Sequence, residues 1–101
     1  MTNDLRDLTG LDRLIHEPAR LMVTAILAVA EQVDFLYLLR ETGLTKGNLS
    51  AHLSKLEESG YIQIQKTYRG KIPQTLIQLT PTGMEAYNKY RKQMKDIMTK
   101  L

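Results

Sequence analysis

The sequence predicts a mainly helical α+β domain that carries one small β-hairpin, and three observations predict it. First, Gly43-Leu-Thr45 separates two stretches of helical apolar spacing and supplies both a helix stop and a helix start. Second, Tyr61–Lys66 and Thr75–Leu79 alternate in places and are each short enough to be one strand of a hairpin. Third, the chain closes on a long helical repeat after Thr80-Pro81, where threonine can cap and proline suits the first helical turn. With 101 residues the chain has room for a single small domain over residues 1–101, whose core would be marginal without help from a partner.

Taken in order, Leu5, Leu8, Leu11, Leu14 and Ile15 form an apolar stripe near the N-terminus. From Pro18 to Ala30 nearly every position is apolar, so this segment predicts a buried helix, again with proline in its first turn. Asp34 can cap a short helix from Phe35 to Thr42 in which Phe35, Leu38 and Leu39 pack inward. Gly43 then ends that helix in a left-handed conformation, and Thr45 caps the next, giving a helix-turn-helix over residues 34–59. In that next helix Leu49, Leu53 and Leu56 are spaced four and three apart and face a core.

The outer face of this helix is unusual. At about 100° per residue, the side opposite the leucines carries Gly47, Ala51 and Ser54, flanked by Asn48, Ser50 and Lys55. An ordinary exposed helix would fill such a face with Lys, Glu and Arg. Small side chains let a helix approach base edges closely; Asn and Ser can bond to those edges, Ala can touch a thymine methyl, and Lys can reach phosphate. Thr45, Lys46 and His52 complete the candidate set, His52 as a rim side chain that reaches either a phosphate or a neighbouring loop.

The hairpin of residues 61–79 places Ile62, Ile64, Ile77 and Leu79 on its inner face, which puts Gln63, Gln65 and Gln78 on the other. Its expected connection, Thr67 to Gln74, makes a basic tip with Lys66, Arg69 and Lys71, a bend at Gly70, and Tyr68 able to lie along a sugar edge. Thr67 belongs to the same candidate surface. A merely solvated tip is the alternative.

The order of these elements and their residues resemble the winged-helix transcriptional regulators of the MarR/ArsR-like kind. The resemblance runs through Leu11–Arg20, Asp34–Leu38, Leu44-Thr-Lys-Gly-Asn-Leu-Ser, His52-Leu53, Leu56-Glu-Glu-Ser-Gly-Tyr and the closing Leu79-Thr-Pro-Thr-Gly83. It implies a winged helix-turn-helix, a dimer that sets the second helix of each motif, here Thr45 to Ser59, in the major groove with a wing beside it, and usually repression of a promoter. The position of Ala51 is often arginine in such proteins, so the resemblance implies that one guanine contact is missing and base readout is modest. Metal-sensing relatives use cysteines and histidines; this chain has no cysteine, and no metal or cofactor is expected.

Charge placement agrees with a polyanionic partner. Residues 1–45 hold four basic and seven acidic side chains, residues 46–101 ten and four, so the basic half contains the candidate helix and hairpin. No apolar run is long enough for a membrane crossing, and the N-terminus opens Met-Thr-Asn-Asp rather than with a basic and then apolar leader, which predicts a cytoplasmic protein. Catalysis has no foothold: His16-Glu17 opens like the zinc motif His-Glu-x-x-His but meets Arg20, and no phosphate-binding glycine pattern follows a strand.

Along the last helix Tyr87, Tyr90, Met94, Ile97 and Leu101 recur at spacings of three, four, three and four, a seam that calls for another helix. Together with Leu5, Leu8, Leu11 and Leu14 it predicts a homodimer built from terminal helices at residues 1–17 and 80–101. The predicted function is therefore sequence-specific binding of double-stranded DNA by a homodimeric regulator, with any small-molecule effector unknown. The rival is a winged helix used as a protein-interaction module, which would expose a contiguous apolar patch on the same surface.

Overall fold

A computed structural model of the chain describes residues 4–101. Local capping chemistry sets most of its boundaries. Helix α1 spans Pro18–Ala30, with proline in its first turn and the Glu17 carboxylate accepting from Arg20 N at 2.7 Å. Helix α2 spans Phe35–Thr42, capped by Asp34, which accepts from Tyr37 N at 2.7 Å. It ends at Gly43, whose φ of 71° admits the left-handed turn and lets its N–H donate to Leu39 O. Thr45 accepts from Asn48 N at 3.1 Å and opens α3, Lys46–Glu58. Thr80 does the same for α4, Pro81–Met98, by accepting from Gly83 N at 3.0 Å. Each such cap is worth about 1 kcal/mol.

The sheet has three strands, one more than the hairpin predicted. Strand β1, Gln32–Asp34, follows Glu31, a non-glycine residue at φ 61°, and pairs antiparallel with β3 through Val33 opposite Ile77. Strands β2, Ile62–Arg69, and β3, Ile72–Leu79, form the hairpin, and the order across the sheet is β1-β3-β2. The register pairs Ile62 with Leu79 and Ile64 with Ile77, leaving Gln63 opposite Gln78 on the other face.

Two apolar clusters hold these elements together. The larger one gathers Val23, Leu27, Val33, Leu38, Leu49, Leu53, Leu56, Ile62 and Ile77, so all three leucines of α3 are buried against α1, α2 and the sheet. The smaller one holds Leu11, Ile15, Tyr90 and Ile97, with Leu21, Tyr87 and Met94 packed at its edge. Tyr61 packs against both.

Three expectations are corrected by this packing. Leu11, Tyr90 and Ile97, read from sequence as facing a second chain, are 4%, 4% and 2% exposed within this one, because the N-terminal arm folds back onto α4 and covers the seam itself. The N-terminal segment is not one helix either: a 3₁₀ helix covers Asp4–Gly10, and Asp12 Oδ1 then accepts from Leu14 N at 2.9 Å and Ile15 N at 3.3 Å. That carboxylate offers the backbone a turn in place of a helix. Residues 1–3 of the segment lie outside the described residues. Finally, α1 buries one face only, through Ala19, Arg20, Val23, Thr24 and Leu27, while Val29 is 86% exposed.

The arm is tied down by the Tyr61 hydroxyl, which donates to Asp12 Oδ2 at 2.5 Å. That bond, with burial and the carboxylate's charge adding to it, pushes the phenol from its ordinary 10.0 up to about 12. A raised value in the folded state means the bond's stabilisation is complete below the unfolded value of 10.0 and is lost as pH rises through about 12. Urea unfolding midpoints should therefore fall more steeply between those pH values for the native chain than for Tyr61→Phe; equal slopes would contradict this.

Candidate nucleic-acid interface

The small-residue face of α3 is presented outward because its three buried leucines anchor the opposite side. Thr45, Lys46, Gly47, Asn48, Ser50, Ala51, Ser54 and Lys55 are all exposed. His52 is the exception among the candidates on this helix. Its side chain is only 22% exposed, and its Nδ1 lies 3.0 Å from Arg20 Nη1 on α1. It sits on the inner rim of the helix and is fastened to the core.

The hairpin reaches further than its sequence pattern suggested. The strands continue to Arg69 and resume at Ile72, so the connection is Gly70-Lys71 alone, with Gly70 at φ 65° in the first of the two places. Thr67, Tyr68 and Arg69 thus lie on β2 rather than in a loop. Strand alternation then divides the wing. Lys66 and Tyr68 share the face of Ile62 and Ile64, which turns toward α3, whereas Thr67 and Arg69 share the face of Gln63 and Gln65. Lys71 is exposed at the tip.

Helix and wing meet at an open cleft of about 550 Å³ lined by Ser50, Ser54 and Glu57 of α3, Lys66 and Thr75 of the hairpin, and an apolar floor of Phe35, Leu53 and Ile64. Ser50, Ser54 and Lys66 were legible as candidates; Thr75 and Phe35 were not, since only the fold brings α2 and β3 beside α3. Among the described residues, none of Lys46, Lys55, Lys66, Arg69 and Lys71 is in an ion pair; the pairs present are Arg40–Glu41, Lys100–Asp7 and the His52–Glu17 approach at 3.8 Å. Five cations without a counterion among the described residues flank an uncharged helix face, an arrangement suited to phosphates on either side of a groove.

Sequence spacing gives Arg20 no place in the candidate interface, and the structure ties it to His52. A signal did exist: an arginine at the same helical stripe as Thr24 and Leu27 must be buried if that stripe is, and a buried guanidinium needs partners. Among the described residues no group of three or more His, Cys, Asp or Glu side chains is placed to hold a metal ion. Nor is any described helix long and apolar enough to cross a membrane.

A helix-turn-helix whose second helix turns an uncharged face outward, followed by an antiparallel hairpin that folds back beside it, defines a winged-helix nucleic-acid-binding domain. The chain belongs to the winged helix DNA-binding domain family, whose model matches residues 19–98. That family is one of DNA-binding domains and not of enzymes. Over 79 residues the chain is 34% identical to the uncharacterised protein MJ0432 of Methanocaldococcus jannaschii, covering 77% of this chain and 85% of that one. Its fold is similar to that of a transcriptional regulator homologue from Pyrococcus horikoshii OT3, with TM-score 0.88 and 24% identity over 94% of this chain and 96% of that one. It is also similar to a candidate transcriptional regulator of the MarR family from Enterococcus faecalis V583, with TM-score 0.77 and 21% identity over 98% and 90%.

Proposed function

We propose that the chain is a homodimeric, sequence-specific regulator of transcription that represses by occupying duplex DNA at a promoter. The observation that carries this is the outer face of α3: Gly47, Asn48, Ser50, Ala51 and Ser54 are exposed and uncharged, with cations on both flanks that form no ion pair among the described residues. In this reading Asn48 and Ser50 meet base edges, Ala51 lies against a thymine methyl, and Lys55, Lys66, Arg69 and Lys71 meet phosphates.

Shape and apolar surface support a dimer. The radius of gyration is 15.3 Å, against about 13 Å for a compact chain of this length. The extents of 61 × 26 × 21 Å describe an elongated protomer whose second core is thin. On α1, Met22, Ala25 and Val29 lie on the side away from the buried face and are all apolar. Leu8, Met98 and Leu101 are exposed beside the arm and the end of α4. A second copy that covers these surfaces would bring two recognition helices onto one duplex.

One feature favours the rival protein-interaction reading: Leu36 and Pro73 line one shallow cleft, Tyr68 stands opposite Pro73, and both Leu36 and Tyr68 are well exposed. Binding measurements separate the two. Lys66→Ala or Arg69→Ala should reduce the salt slope of duplex binding by about one per subunit, without altering sequence preference. Asn48→Ala should cost about 1–3 kcal/mol at one base position and relax preference there. Equal losses across all sequences from both kinds of substitution would contradict this division, and no effect from either would favour the interaction module.

A further inference from the structure

Arg20 is the only charged side chain that is buried among the described residues, and it does not face a carboxylate in an ion pair. Its Nε donates to Leu14 O at 2.6 Å, and its Nη1 lies 3.0 Å from His52 Nδ1. A guanidinium has donors and no acceptor, so the imidazole nitrogen that faces it must be the one without a proton. The ring proton is then on Nε2. Glu17 Oε1, the other charged group that faces the ring, is 3.8 Å from the same Nδ1 and already accepts from Arg20 N at 2.7 Å. Nε2 has no hydrogen-bond partner among the described residues. Asn48 and Lys55, one turn away on either side, both stand exposed on the recognition helix.

We propose that Arg20 is a positioning residue for DNA contact: it fixes His52 as the Nε2–H tautomer and holds the ring so that this N–H donates to a backbone phosphate beside the recognition helix. The inference rests on the DNA-binding reading above. It assigns a role to a residue that touches no DNA and lies on a different helix. It also explains why an arginine occupies the buried stripe of α1, where an apolar side chain would pack at lower desolvation cost. With its other nitrogen committed to Arg20, His52 makes a directional contact that a flexible surface lysine does not.

The test uses the full chain. Long-range proton–nitrogen spectra of the two histidine rings should show His52 with an unprotonated Nδ1 in the native protein and a mixture of tautomers in Arg20→Met. Duplex affinity should fall about tenfold in His52→Ala and in His52→Asn, the size of one lost charge-assisted hydrogen bond. It should be retained in His52→Gln, whose amide nitrogen reaches close to the place of Nε2. Arg20→Met should weaken binding in the native background and add nothing to His52→Ala. If Arg20→Met does not fold, the spectrum of the native protein and the His52 series decide.

A native His52 protonated on Nδ1, or His52→Gln as weak as His52→Ala, overturns the proposal. Lys55→Ala separates the two levels of the argument. If it weakens binding while His52→Ala leaves affinity within about twofold of native, a difference too small for a hydrogen bond to phosphate, only the Arg20–His52 role fails. If native protein binds no duplex, the DNA reading fails with it.

Discussion

Gly83→Ala is expected to be the most destabilising small substitution in the chain. A Cβ built at Gly83 would stand 2.0 Å from Tyr61 O, 2.8 Å from Tyr61 C and 3.0 Å from Tyr61 Cα. These are backbone atoms, and the same carbonyl accepts from Thr80 N at 3.0 Å. Neither side can swing aside as a flexible side chain would. The first turn of α4 must move off the start of β2, and Tyr61, which also holds Asp12, must move with it. The cost should be about 3 kcal/mol or more, a fall in Tm of well over about 10 °C for a domain of this size. Gly47→Ala is the matched control: it lies on α3 with nothing within 4 Å of the added methyl, and helix propensity alone should raise stability there by about 0.5–1 kcal/mol. Thermal unfolding of the two variants side by side checks both signs.

Ala51→Glu is expected to abolish DNA binding while leaving the fold intact. Ala51 is exposed at the centre of the proposed recognition face, so a glutamate there meets solvent in the free protein and changes stability little. Against a duplex the same carboxylate is driven toward base edges between two phosphate backbones. Like-charge juxtaposition of that kind costs several kcal/mol, which is more than about a hundredfold in affinity. Fluorescence anisotropy on a selected duplex should show that loss with an unchanged Tm. Retained affinity would place the DNA elsewhere on the molecule.

The parts of the fold that were legible in the sequence are those whose chemistry is local. Pro18, Asp34, Gly43, Thr45 and Thr80 set helix ends through contacts within a few residues, and the ends they imply agree with the helices to within one residue. Strand β1 was not legible because its three residues, with Val33 alone buried, become a strand only through pairing with β3, more than forty positions away. The hairpin was read too short because Tyr68 opposite Pro73 and Arg69 opposite Ile72 do not alternate in polarity, although they pair in register. The N-terminal leucines do recur at helical spacing, but Asp12 captures the amides of Leu14 and Ile15 and turns the chain.

Periodicity marks an apolar seam without saying what covers it. Tyr90 and Ile97 belong to such a seam, and the arm residues Leu11 and Ile15 of the same chain fill it. The candidate interface was legible as a list of residues on α3 and the wing. Which face of the hairpin each wing residue occupies, and the link from Arg20 to His52, depend on register and on helix packing that no short sequence window contains.

In the proposed function, α3 and the wing of two copies read duplex DNA together. Its most direct test is to bind the purified chain to a pool of random duplexes across a salt series, then sequence what remains bound. A dimeric reader of duplex DNA should show steep salt dependence and select a two-fold-symmetric site whose half-site centres lie about 10 base pairs, one helical turn, apart. Failure to retain any duplex at low salt would contradict it.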